Sequence, residues 1–449
     1  MYILLALLLL CPFVSSAVDF SHGDLKVSPN HRYLIHADGT PFFYLGDTAW
    51  ELFHRLKREE AEQYFENRRQ KGFTVIQAVI LAELDGLNYP NAAGWRPLTY
   101  GDPTIPNRGY FADVDAMVKS AEKAGLYIGM LPTWGDKVKS APWEKKPDVR
   151  FTPKNAHTYG KILGERYKDA PNIIWILGGD RSPEDVEDIW REMAAGLKEG
   201  DGGRHLVTYH PGGGSSSADL LNKEPWLDFN MLQSGHKKRN LRNDLMIQKD
   251  YNLTPVKPTM DGEARYENHP INWKPENGWF DDFDVRQAAY WALFAGAHGH
   301  TYGCHDVWQM KTAEREPVSF ARGDWKTSLD LPGARQMGYV RQLMESRPML
   351  TRVPDQSLII TQPASDEDHI QATRSDNYAF VYIPTGKPVS IQMGKIQGDK
   401  VKASWFDPRT GKTQEAGSIA NKGPHHFTPP GKPGRGNDWV LVLDSVPNQ

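Results

Sequence analysis

Two short apolar runs each end in a carboxylate preceded by glycine. The first is Ile173-Ile174-Trp175-Ile176-Leu177-Gly178-Gly179-Asp180, and the second is Pro258-Thr259-Met260-Asp261-Gly262-Glu263. In a strand, side chains alternate between faces. Ile174, Ile176, Gly178 and Asp180 are therefore expected on one side of the first run, and Asp261 with Glu263 on one side of the second. Acids at the C-terminal mouths of separate parallel strands can converge on one small site. Cleaving a glycosidic bond needs such a pair: one carboxyl protonates the leaving oxygen while the other attacks the anomeric carbon or activates water. Taken singly, each acid reads as well as a strand-end cap or an ion-pair partner, since most carboxylates are solvated or structural.

Positioning both acids requires a scaffold that presents strand ends together. Strand-like runs over 42–45, 74–81, 127–131, 173–177, 205–209, 228–232, 258–260 and 299–302 alternate with helical patterns, among them 57–71, 111–124, 155–167, 183–198, 240–249 and 284–297. About eight βα units in series predict an α/β fold, a (β/α)₈ TIM barrel, over residues 18–350. From 351 to 449 the texture changes to short strand candidates such as 357–361, 370–373, 378–382 and 439–443, separated by turns, which predicts a small C-terminal β-sandwich. The Gly- and Pro-rich stretch 421–437 reads as a long surface loop.

The chain has 449 residues, 53 basic and 56 acidic, for a net charge of -3, which gives no sign of a nucleic-acid or polybasic membrane surface. Neutral ligands fit better, and 14 Trp with 18 Tyr supply faces that stack on sugar rings. No GxGxxG follows the first strand and no GxxxxGK occurs, so no phosphate cofactor is expected. Residues 1–17 read as a signal peptide, an apolar run too short to span a bilayer followed by Ser15-Ser16-Ala17, which predicts a secreted or periplasmic protein with no membrane anchor after cleavage. Only Cys304 would then remain, so no intrachain disulfide is available.

At Phe43-Tyr44-Leu45-Gly46-Asp47-Thr48-Ala49-Trp50, Trp175 to Asp180, Asp261-Gly262-Glu263 and His300-Thr301-Tyr302-Gly303, the chain resembles the apiosidase-like family of glycoside hydrolases. The segment Trp405-Phe406-Asp407-Pro408-Arg409-Thr410-Gly411 resembles the collagen-binding type of domain that often follows that barrel. The resemblance implies a retaining hydrolase of plant-type (pectic) or related polysaccharide, with Asp180 as acid/base after strand four and Glu263 as nucleophile ending strand seven. In most of that clan an Asn-Glu pair ends strand four. Gly179-Asp180 stands here instead, a departure the apiosidase-like group shares.

Around the pair, Asp47 and Trp50 after strand one, Trp134 after strand three, His210 after strand five, Gln233 and His236 after strand six, and His300 on strand eight are expected to bind substrate. For each, a packing or loop-anchoring role stands beside that reading. Glu83 and Asp85, after strand two, read as loop caps or ion-pair partners. A metal-dependent hydrolase is the alternative chemistry, because His298, His300, His305 and Asp306 are close in sequence and of zinc-binding types. However, HxH in metal-dependent barrels belongs to the first strand, and HExxH is absent, so neither metal nor cofactor is expected. A third reading is a non-catalytic protein whose tail contacts glycan or matrix.

Overall fold

The computed structural model of the protein describes residues 17–141 and 147–446. Of the expected leader, only Ala17 falls among them. A small antiparallel sheet of Leu25–Val27, Leu34–His36 and Pro41–Phe42 comes first. It covers the bottom of the barrel, with the Phe42 ring edge-on to Tyr44 and Tyr127 at 6.4 and 5.2 Å.

Eight parallel strands make that barrel: β1 (Tyr44–Thr48), β2 (Val75–Leu81), β3 (Tyr127–Thr133), β4 (Ile173–Gly178), β5 (Val207–His210), β6 (Asn230–Gln233), β7 (Thr259–Asp261) and β8 (Gly299–Tyr302). The hydrogen-bonded order is β5-β4-β3-β2-β1-β8-β7-β6, and the short antiparallel strand Ser215–Ser216 pairs with β6. Between β5 and β6 the ring closes through individual bonds, not a ladder: Asp228 N–H donates to Val207 O at 2.8 Å, and Thr208 Oγ1 donates to Phe229 O at 2.7 Å.

Alternation sorts the side chains. Tyr44, Val75, Ile174, Ile176, Met231 and Met260 fill the interior, whereas Leu45, Ile76, Ile128, Trp175 and Leu177 pack beneath the helices. Those helices are α1 (Arg58–Gln70), α2 (Arg108–Lys123), α3 (Pro153–Tyr167), α4 (Glu187–Asp201), α5 (Asn243–Tyr251), α6 (Asp282–Phe294) and α7 (Pro332–Glu345). In α4 the buried residues Ile189, Trp190, Met193, Ala194 and Leu197 follow the helical period. The first turn of α4 carries Glu187 and Asp188, which suit the positive end of the helix dipole.

Residues after the barrel form the predicted sandwich. Its larger sheet runs β9 (Val353–Pro354), β10 (Gln371–Arg374), β11 (Tyr378–Ile383), β16 (Trp439–Val446), β13 (Lys400–Phe406) and β14 (Thr413–Ala420), and the smaller pairs β12 (Val389–Met393) with β15 (Gly423–Phe427). Two expectations need correction here. Part of 357–361 belongs to a 3-10 turn, Gln356–Leu358, and the stretch read as a loop over 421–437 contributes β15, whose Phe427 joins the sandwich core.

Strand β11 shows why the two domains are joined. Ala379, Val381 and Ile383 face the smaller sheet, while Tyr378, Phe380 and Tyr382 face the barrel. There Tyr382 stacks on Tyr290 of α6 at 4.8 Å and Phe380 on Phe294 at 5.9 Å. Arg286 of α6 bonds Asp438 at 2.8 Å, both fully buried. Helix α6 therefore has no solvent face.

Candidate active site

A cavity of about 700 Å³ opens at the C-terminal ends of the barrel strands. Asp180 and Glu263 both line it, with Trp50, Trp134, Gln233 and His236. The chain delivers the two acids by turns, not by strand alternation. Strand β4 stops at Gly178, and three successive residues then adopt positive φ: Gly178 (+85°), Gly179 (+113°) and Asp180 (+55°). A Cβ at Gly178 would stand 2.2 Å from His210 O, so only glycine fits that close approach. Gly179 N–H donates to His210 O at 3.0 Å, and Asp180 N–H donates to His210 Nδ1 at 3.3 Å. The acid is thus fixed by the end of β5.

Strand β7 stops one residue before Gly262. Asp261 faces the helices, accepting from Ser234 Oγ at 2.7 Å and Asn243 Nδ2 at 2.9 Å. Glu263 turns the other way, into the cavity. The expectation that Asp261 and Glu263 share a face is therefore corrected: the strand ends at Asp261, and Gly262 breaks the alternation beside Met231.

Glu263 is held by two imidazoles. His236 Nε2 lies 3.0 Å from Oε1 and His210 Nε2 lies 3.0 Å from Oε2, the second approach being off the line of its N–H. Because His210 Nδ1 accepts from Asp180 N–H, the hydrogen-bond pattern assigns its ring proton to Nε2, facing Glu263. Burial alone would raise the Glu263 pKa, but the two imidazoles hold it well below the usual carboxylate range. Asp180 shifts upward, first from burial in the cleft and second from the Glu263 charge. Two acids in one cavity are pushed apart in pKa, one kept ionised and the other poised to carry a proton.

Rings wall the site. Trp50 and Trp134 lie 5.1 Å apart, and each contacts the His210 ring, at 5.3 and 5.8 Å. Trp134 Nε1, Gln233 Oε1 and His236 Nδ1 are buried without a protein partner, and a hydroxyl-bearing ligand would satisfy them. The loops after β7 and β8 bring residues that strand ends alone do not point to: Tyr266, His269, Trp273 and Trp308. His236 stacks on His269 at 4.4 Å and meets Tyr266 at 4.4 Å. The nearest signal was the density of rings just after Glu263, in Tyr266-Glu267-Asn268-His269.

Three expected substrate residues do not line the cavity: His210 is fully buried behind Asp180 and Glu263, and Asp47 and His300 lie elsewhere. Asp47 is inside β1, which runs to Thr48, and it points to the helix layer, where Arg68 Nε donates to it at 2.6 Å and Tyr64 also bonds it. His300 pairs with Asp261 and Leu45 across the sheet, shares their outward side, and is buried near Arg265. Both sit one residue out of phase with the interior.

The imidazoles of the metal reading do not converge. His298 is in the barrel interior, 5.3 Å from Phe229 by ring centroid; His300 faces outward; His305 is at the mouth, its Nε2 donating to Ser319 O at 2.9 Å. Asp306 instead accepts from Asn268, Ser328 and the Arg322 N–H. Among the described residues no group of three His, Cys, Asp or Glu is placed to hold a metal ion.

Glu83, read as a cap, also lines the cavity. Burial raises its pKa to about 8, and the charges of Asp180, Asp136 and Glu51 act in the same direction. The Asp85 carboxylate instead accepts from the Asn88 side-chain amide, Nδ2, at 2.9 Å.

Eight parallel strands, an aromatic cleft at their C-terminal ends and a split pair of carboxyls define a barrel glycoside hydrolase. A family model described as "Apiosidase-like, catalytic domain" matches residues 28–351, and the chain belongs to that family. Residues 353–444 match the model described as "Putative collagen-binding domain of a collagenase". Among solved structures, one titled "Glycoside hydrolase" is 36% identical, with 95% of this chain and 98% of that chain covered and a TM-score of 0.85. A glycoside hydrolase family 5 protein from Bacteroides vulgatus ATCC 8482 is 35% identical over 95% of both chains, with a TM-score of 0.89. Comparison with curated proteins returned no match.

Proposed function

We propose that the chain is an exported retaining glycosidase of plant-type (pectic) or related polysaccharide, with Glu263 as nucleophile and Asp180 as acid/base. The observation that carries this reading is the carboxylate of Glu263 with an imidazole 3.0 Å from each oxygen, in the same cleft as a carboxyl whose pKa is raised. The imidazoles keep Glu263 ionised and aim it. Asp180, protonated, gives its proton to the glycosidic oxygen as the C–O electron pair moves onto that oxygen, while a Glu263 oxygen bonds the anomeric carbon. Water then attacks that carbon, its proton passes to the Asp180 carboxylate, and the Glu263–carbon bond breaks. This double displacement requires the two carboxyls roughly 5 Å apart, against about 8 Å for inversion.

Trp50, Trp134 and Tyr266 supply stacking faces for the bound sugar, and Gln233 and His236 supply polar contacts. Export rests on residues 1–17, which N-terminal sequencing of the mature protein checks. The C-terminal domain braces α6, and any contact of that domain with glycan or matrix would use its outer strands.

The test is a screen of purified protein against a panel of pectic and related glycans. Proton NMR of the first-formed sugar reports the anomer: net retention is expected. Hydrolysis of no panel member, with glycan binding intact, would instead favour the non-catalytic reading.

A further inference from the structure

We infer that Gln77 is a positioning residue for Glu263: reaching across the barrel from β2, it holds the peptide group that turns this carboxylate into the cleft. The inference rests on the reading of Glu263 as nucleophile. Gln77 lies two residues after Val75 in β2, so its side chain enters the barrel interior on the same face. It is fully buried, and its Nε2 donates to Gly262 O at 3.1 Å. That oxygen belongs to the peptide joining Gly262 to Glu263. The next peptide is held as well, since Gly235 N–H donates to Glu263 O at 3.0 Å. Together the two bonds fix the peptide planes on either side of the Glu263 α-carbon, and with them the direction in which its side chain leaves the backbone.

The amide has one orientation open to it. Gly262 O can only accept, so the Gln77 NH₂ group must face it, and Oε1 then faces two hydroxyls that donate to it: Tyr44 OH of β1 at 3.1 Å and Thr301 Oγ1 of β8 at 3.2 Å. Three strands are thereby tied to the turn after β7. Close approaches make room for the network, because a Cβ at Gly46 would stand 2.6 Å from Thr301 Oγ1 and one at Gly129 would stand 3.3 Å from Gln77 Cγ. An apolar side chain of the same volume would fill this interior, which Val75, Ile176 and Met231 otherwise occupy, without the cost of burying an amide. What the amide adds is a donor aimed at one carbonyl. Without it Gly262 O loses that bond, the peptide is free to rotate, and Glu263 moves off the His210 and His236 imidazoles, leaving burial to raise its pKa.

The experiment compares wild type, Gln77→Met and Gln77→Asn on two substrates: the glycan found by the screen, and the 2,4-dinitrophenyl glycoside of the sugar it releases, whose leaving group departs without a proton from Asp180. Methionine keeps the volume and removes the donor. Gln77→Met is expected to lower kcat/KM at least about tenfold, by the same factor on both substrates, since a nucleophile out of place slows both. KM on the glycan should stay within about twofold, and the acidic limb of the kcat/KM–pH profile should move to higher pH. Gln77→Asn, one methylene short of Gly262 O, should do the same by a smaller factor, and it carries the test if the methionine variant does not fold. An unchanged kcat/KM, a loss confined to the glycan or carried by KM alone, or an acidic limb that stays in place overturns the role of Gln77 and leaves Glu263 as nucleophile. Failure of the wild type on both substrates overturns the catalytic reading itself.

Discussion

Glu263 stays charged in a buried place because His236 donates to one of its oxygens and the His210 imidazole lies 3.0 Å from the other. Removing one imbalances that arrangement in a known direction. In His236→Ala burial acts against one fewer imidazole, so the Glu263 pKa rises. As the proposed nucleophile, Glu263 must be ionised, so the acidic limb of the kcat/KM–pH profile should move to higher pH, with kcat/KM at neutral pH down by about 10–100-fold. An acidic limb that stays in place contradicts the clamp. Asp47 makes the opposite case: its partner is Arg68 on α1, both 0% exposed, and it touches nothing in the cavity. Asp47→Ala leaves the Arg68 charge uncompensated and should cost about 3–5 kcal/mol in denaturant unfolding. The KM of the folded enzyme should not change. These two residues mark the limit of legibility at this scale. Asp180, Glu263, Trp50, Trp134, Gln233 and His236 could be read as cavity residues because each ends a strand or closely follows its end. Asp47 and His300 could not be placed, since the strands holding them run on and turn them outward. His210 closes β5 behind the lining and acts through both acids.

At the scale of elements, the turn after β4 converts a strand into an acid-bearing loop. Gly178 and Gly179 pass close to His210 O and Gly135 N, at 2.2 and 2.8 Å from the Cβ each would carry. Gly178→Ala adds about 1–3 kcal/mol of backbone strain and pushes β5 away at the very atoms that fix Asp180. Activity should fall by about 100-fold, the order expected for a reacting group displaced by about 1 Å, while thermal unfolding remains cooperative. A variant with unimpaired turnover would show that the turn does not position the acid. The alternation of strands and helices was legible because β2, β3 and β4 are continuous apolar runs and the helices between them are amphipathic. The loops after β7 and β8 were not, since Tyr266, His269, Trp273 and Trp308 reach the cavity through backbone hydrogen bonds such as Glu267 N–H to Gly303 O at 2.9 Å, which no periodicity announces.

Over the whole molecule, α6 is the shared element: Tyr290, Trp291 and Phe294 are buried against the sandwich, and Arg286 is paired with Asp438. Unfolding of the full chain should therefore be one calorimetric transition. Asp438→Ala, which leaves the buried Arg286 guanidinium with only Asp282 and Gln336 as partners, should destabilise it by about 1–3 kcal/mol. Two separated transitions would contradict the bracing role. The sandwich was legible as a run of short strands, and its attachment was not, because the pairing of Tyr382 with Tyr290 joins residues 92 positions apart in the chain.

The cleft that this frame holds rigid depends on its two carboxyls acting together. The most direct measurement is kcat/KM of Asp180→Asn and Glu263→Gln on the glycan the wild type cleaves, with thermal midpoints recorded alongside. Both rates should fall at least a thousandfold while the midpoints stay near that of the wild type. A rate above a tenth of the wild-type value in either variant would contradict the account.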